Sequence, residues 1–111
     1  MNDLDVTFAA LADPTRRRIV DLLRERPLRA GEVAGRIGMS PPAMSRHLRA
    51  LRAGGLVDVE FSEEDGRARR YRLRPDRFVA MQAWLSGLEG HWGNQLESFR
   101  EHVERDGGGS A

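Results

Sequence analysis

The chain has 111 residues, with 18 arginines and no lysine against 17 acids, a formal net charge of +1 and no cysteine. That length suits one small domain, and the missing cysteines exclude a disulfide, a thiolate metal site and a cysteine nucleophile. No apolar run approaches the roughly 18 residues of a membrane span and MNDLDVT is acidic where a secretory signal would be basic, so a cytoplasmic protein with no membrane partner is expected.

The charge is uneven along the chain. Residues 41–77 hold nine arginines against six acids, a net +3, whereas residues 78–111 hold two arginines against five acids, a net −3. Such a split favours an anionic partner for the middle of the chain.

Leu4, Phe8 and Leu11 recur at spacings of four and three, which predicts a short first helix with one apolar edge ending at Ala12. Asp13-Pro14 is a cap followed by a proline suited to the first helical position, and Ile19, Leu22 and Leu23 form the inward face of a second helix that Arg26-Pro27 ends. Arg16 to Arg18 lie in its first turns, read chiefly as a solvated surface and otherwise as phosphate contacts.

From Ala30 to Val57 the chain reads as two short amphipathic helices joined by a tight turn. Val33, Ala34 and Ile37 share a face of the first, and Gly38 supplies the left-handed residue that closes it. Ser40 caps the second and Pro41 opens it. Met44, Leu48 and Leu51 then point inward at about 100° per residue, leaving Ser45, Arg46, Arg49 and Arg52 outward. This is the pattern of a helix-turn-helix.

After Gly54-Gly55 the period falls from four to two. Val57, Val59 and Phe61 alternate with Asp58 and Glu60, a turn-like SEEDG follows, and Arg69, Tyr71 and Leu73 return, which predicts a hairpin turning at Asp65-Gly66. Arg67, Arg69, Arg70 and Arg72 crowd its tip and returning strand. A basic ribbon directly after a helix-turn-helix is a wing, placed to reach phosphates or the minor groove.

The last pattern, Pro75 to Arg105, is a long helix with one stripe of Phe78, Met81, Leu85, Leu88, Trp92, Leu96, Phe99 and Val103. So small a core cannot cover it, which predicts a homodimer formed through Leu4, Phe8, Leu85, Leu88, Trp92, Leu96 and Phe99. Gly87, Gly90 and Gly93 invite a kink or break. Residues 1–105 are thus expected to form one DNA-binding and dimerisation domain, and 106–111 a disordered tail.

The succession LADPTRRRIVDLL, SPPAMSRHLRALRAGGLV and a basic hairpin ending in RRYRL resembles the winged-helix repressors of the arsenic-repressor (ArsR/SmtB) family, strongly from Phe8 to about Leu73. The resemblance implies a mainly helical winged helix-turn-helix of order α-α-α-α-β-β-α, acting as a dimeric repressor on a palindromic double-stranded DNA operator, often its own promoter. Many relatives follow the capping serine with glutamine, where this chain has Ser40-Pro41. Thiolate sensors in the family place cysteines at positions matching Arg29 and Gly31, so that metal site is absent. A second family site has Glu89, His91 and His102 as its matches here, with Arg105 where a fourth ligand belongs. No metal or cofactor is therefore expected, a zinc-responsive repressor using Glu89, His91 and His102 being the lesser alternative.

Within the DNA-binding reading the candidate contacts are Ser40, Pro41, Pro42, Ala43, Ser45, Arg46, His47, Arg49, Arg67, Arg69 and Arg70. Arg46 is the first choice for reading guanine, Ser45, Pro42 and Ala43 are near enough to assist, and Arg49 and the wing arginines hold phosphate. His47 divides between packing in the turn and touching backbone. A winged helix used only for protein contact is the other alternative. Nothing suggests an enzyme, since no glycine-rich phosphate loop or catalytic constellation is present and GEVAGRIG is internal to a helix.

Overall fold

The computed structural model describes residues 3–62 and 68–109, leaving the Asp65-Gly66 turn, Arg67 and the side chain of Leu96 outside the described residues. The order is α1 (Asp3–Leu11), α2 (Pro14–Leu23), α3 (Ala30–Ile37), α4 (Pro41–Ala53), β1 (Val57–Ser62), β2 (Ala68–Leu73) and α5 (Pro75–Gly109), as the sequence predicts. The chain divides into two compact units, Met1–Phe78 and Val79–Ala111.

Local chemistry sets most boundaries in the first unit. The Asp13 carboxylate accepts the Arg16 backbone N–H at 3.0 Å, and Pro14 follows in the first turn of α2. That hydrogen bond holds the Asp13 carboxyl below its ordinary value; partial burial opposes it, while the Thr15 N–H and the charges of His47 and Arg16 assist. Gly38 closes α3 with φ of 79°, a conformation glycine adopts without the Cβ clash other residues meet. Ser40 Oγ accepts the Ala43 N–H at 3.4 Å and caps α4.

Ile19, Val20 and Leu23 of α2, Val33 and Ala34 of α3, and Met44, Leu48 and Leu51 of α4 are buried together with Leu28, Leu56 and Val57. Val20 takes the inward place that the periodicity gives to Leu22, which is half-buried. Leu28 exchanges backbone hydrogen bonds with Tyr71, at 3.1 and 2.7 Å, so the segment between α2 and α3 adds a short third rung beside the hairpin.

α1 turns differently from the periodicity. Its buried residues are Thr7 and Ala10, whereas Leu4 and Leu11 are half-buried and Phe8 is exposed. The reason is close approach to the end of α4: a Cβ added at Gly54 would lie 2.7 Å from the Ala10 Cβ, and only small side chains fit that contact. Thr7 Oγ1 lies 2.9 Å from the Asp3 carbonyl and 3.1 Å from the Gly54 carbonyl, with one proton to donate. Gly54→Ala is therefore expected to destabilise the fold by about 1–3 kcal/mol through overpacking. Urea unfolding with an unchanged midpoint would contradict that.

Arg16 and Arg17 are committed to structure, where the sequence offers solvent or phosphate. Arg16 donates to the carbonyls of Ala10 at 2.6 Å and Ala9 at 3.3 Å, and Arg17 donates to Leu11 at 2.7 Å. These are among the last carbonyls of α1, that of Ala9 also accepting the Ala12 N–H at 3.2 Å, and they lie where positive charge is favoured by the helix dipole. Arg77, in the first turn of α5, pairs with Asp3 at 2.7 Å and lies over Gly55, whose φ of 74° and missing Cβ leave room for it.

The second unit is the body of α5. The helix passes Gly87 and Gly90 without a break and continues to Gly109, where the sequence expects it to end at Arg105. Once a helix is nucleated each further residue adds a hydrogen bond, which carries it beyond the last packing side chain. Arg100 Nη2 lies 3.7 Å from Glu89 Oε1.

Candidate nucleic-acid interface

α4 presents two functional edges on either side of its exposed face. At about 100° per residue, Ser45, Arg49 and Arg52 fall on one edge, Pro42 and Arg46 beside them, and Ala43 and His47 on the far side. Pro41, Pro42, Ser45, Arg46, Arg49 and Arg52 are exposed; Ala43 and His47 are half-buried. His47 is near enough to Asp13 for its charge to act on that carboxylate, which places it toward the start of α2.

The N-terminus of α4 lacks the free N–H groups that usually make a helix start an anion site. Pro41 and Pro42 have none, the Ala43 N–H goes to Ser40 Oγ, and the Met44 N–H goes to the Ser40 carbonyl at 3.0 Å. Any contact with a nucleic acid from this end must therefore come from side chains, above all from Arg46.

The hairpin pairs Val57 with Leu73, Val59 with Tyr71 and Phe61 with Arg69 on one face, and Asp58 with Arg72 and Glu60 with Arg70 on the other. The two faces differ in charge balance. Arg72 lies 3.8 Å from Asp58 and 3.9 Å from Glu60, so acids answer its charge, and Arg70 stands directly across from Glu60. Arg69 is on the face turned toward α4.

There, Ser45, Arg49, Arg52 and Ala53 of α4 meet Arg69 and Tyr71 of β2 around a groove of about 520 Å³. Among the described residues Arg46, Arg49, Arg52 and Arg69 form no ion pair, in contrast to Arg24, Arg26, Arg72, Arg74 and Arg77. Four unanswered guanidiniums beside and within one groove form a phosphate-binding surface in charge and geometry. Ser40 lies at the start of this helix as its cap.

Besides apolar Ala53, the lining residues absent from the sequence-derived set are the polar pair Arg52 and Tyr71. Their signal was present: Arg52 continues the four-and-three spacing of Ser45 and Arg49, and Tyr71 shares the strand face of Arg69.

On α5, Leu85, Leu88, Trp92, Phe99 and Val103 are all exposed in the single chain. One apolar hollow is lined by Leu85, Leu88 and Trp92 and another by Phe99 and Val103, with Glu89 at the margin of both. Of the residues considered for zinc, Glu89 is paired with Arg100, and His91 lies beside Trp92 with ring centroids 6.2 Å apart. Among the described residues no group of three or more His, Asp or Glu is arranged to hold a metal ion, and no helix is long and apolar enough to cross a membrane.

Residues 11–60 match a family described as a helix-turn-helix domain. Over 103 residues the chain is 34% identical to the HTH-type transcriptional regulator Rv2034 of Mycobacterium tuberculosis, an alignment that covers 93% of this chain and 91% of that protein. An ArsR-like transcriptional regulator from Rhodococcus sp. RHA1 is similar in structure, with a TM-score of 0.72 at 31% identity over 89% of this chain and 91% of that one. The homodimeric winged helix-turn-helix DNA-binding domain of Mb0332 from Mycobacterium bovis gives a TM-score of 0.63 at 26% identity, covering 82% of this chain and 83% of that one.

Proposed function

The chain belongs to the ArsR family of winged helix-turn-helix transcriptional regulators, and we propose that it acts in the cytoplasm as a homodimeric repressor of a palindromic operator. The observation that carries the DNA contact is the groove between α4 and β2, where Arg49, Arg52 and Arg69 converge unpaired beside outward-facing Arg46. α4 enters the major groove. Arg46 reads a guanine through its paired donors, Ser45, Pro42 and Ala43 approach the neighbouring bases, and the groove arginines take the adjacent phosphates. Arg70, on the other strand face, and Arg67, outside the described residues, add long-range attraction.

The exposed stripe of α5 supports self-association, and Leu4 and Phe8, left partly uncovered by the inward turn of Thr7 and Ala10, add apolar surface on α1. A two-fold dimer brings two α4 helices to successive major grooves about 34 Å apart, which matches half-sites about one helical turn apart. Occupancy of such a site within a promoter excludes polymerase. The pairing of Glu89 with Arg100 and the cation at Arg105 weigh against zinc as the inducer.

Selection of bound duplexes from random DNA tests this reading. The expected product is an inverted repeat with half-site centres about 10 base pairs apart. Recovery of no enriched sequence, together with no salt-dependent gel shift, would leave a winged helix that contacts protein.

A further inference from the structure

Phe61 is the apolar side chain of the hairpin's α4-facing side that the fold leaves exposed among the described residues, directly beside the likewise exposed Arg69. Along β1 that side grades from Val57, 2% exposed, through half-buried Val59 to Phe61, 66% exposed. The pairing puts the ring directly opposite Arg69, so it stands at the outer end of the groove formed with Arg49, Arg52 and Tyr71. A large apolar ring held in water beside a cluster of unpaired cations is unexplained by the packing of the chain itself.

Resting on the DNA-binding reading above, we propose that Phe61 is an apolar DNA contact that lies in the minor groove flanking each half-site. With α4 in the major groove, the sugar-phosphate backbone crosses the arginine groove. The next surface past that backbone is the adjacent minor groove, whose walls are deoxyribose. An apolar side chain there packs against sugars or wedges at a base step, as minor-groove proteins do with phenylalanine, leucine and isoleucine. The cations on the same face fit the duplex by charge, which selects DNA over an apolar protein patch as the occupant. The wing then contributes a contact that depends on groove width and step flexibility at the flank, in addition to charge.

The salt dependence of binding separates this contact from an ionic one. An apolar contact releases no counterions, so Phe61→Ala should weaken binding to the selected operator on the order of tenfold at every salt concentration, with the slope of log K against log salt unchanged. Phe61→Leu should recover most of the loss, and melting of both proteins should match the parent because the ring is exposed. On duplexes trimmed to the half-sites, Phe61→Ala and the parent should bind alike. Affinity within twofold of the parent on the full operator would overturn the assignment. So would a flattened salt slope, which would mean that the ring acts only by positioning Arg69, or a shift of Phe61→Ala to a smaller species in sedimentation, which would place it against a second copy. If the parent protein binds no duplex at all, the DNA-binding reading itself falls, and the ring assignment with it.

Discussion

Arg46→Ala is expected to bind a degenerate operator. The side chain is exposed in the N-terminal half of α4 and forms no ion pair, and the helix end offers no free N–H to share the work, so few groups can replace it. A bidentate contact to the O6 and N7 of guanine is worth about 1–3 kcal/mol of discrimination, and a two-fold dimer makes it twice. The variant should therefore lose about 1–3 kcal/mol per half-site against the preferred sequence while keeping its affinity for unrelated DNA, which phosphate contacts supply. Arg69→Ala should behave oppositely, weakening all sequences alike and reducing the salt slope by about one per half-site, or about two for the dimer. Competition binding against operators substituted at each position distinguishes the two. A base preference in Arg46→Ala equal to that of the parent would move the readout to Ser45 or another residue.

Most of the fold was legible because its boundaries are local. Asp13-Pro14, Ser40-Pro41 and Gly38 each act on backbone groups within four residues, and the structure shows each of them doing so. What escaped depends on distant partners. Arg16 and Arg17 look like surface charge until the C-terminus of α1 is placed beside them. Thr7 and Ala10 give the inner face of α1 only because α4 approaches close enough at Gly54 to exclude leucine and phenylalanine. The backbone exchange between Leu28 and Tyr71 has no side-chain signature at all.

The interface was legible in composition and less so in arrangement. The run of wing arginines marks the hairpin as basic, but the count cannot say which of them acids answer. Strand pairing decides that: Asp58 and Glu60 share a face with Arg72 and Arg70, leaving Arg69 toward α4. Likewise, alternation assigns Val57, Val59 and Phe61 to one face without showing that cover fails before Phe61. The glycines of α5 carry a statistical cost that a long helix absorbs, since Gly87 and Gly90 have nothing within 4 Å of their missing side chains and only their weak propensity argues for a break.

Leu88→Glu combined with Trp92→Glu is expected to convert the protein to a folded monomer with little operator affinity. The two side chains are 36% and 50% exposed in the single chain, so their replacement removes little packing from within it. In an isologous interface each substitution faces its own symmetry mate's surroundings, so four added carboxylates enter a region that already carries a net −3 over residues 78–111 in each chain. Apolar burial of about 25 cal/mol per Å² is lost along with it. Two half-sites joined by a dimer interface act at the effective concentration of one another, and that coupling is worth on the order of 10²–10⁴ in affinity. The double variant should therefore sediment as one chain, keep its helical circular dichroism and bind the full operator that much more weakly. Binding to an isolated half-site should remain at the parent's level, because Arg46 and the groove arginines are untouched. A variant that still sediments as a dimer would move the interface off the α5 stripe, and a monomer that retains full operator affinity would sever dimerisation from DNA reading.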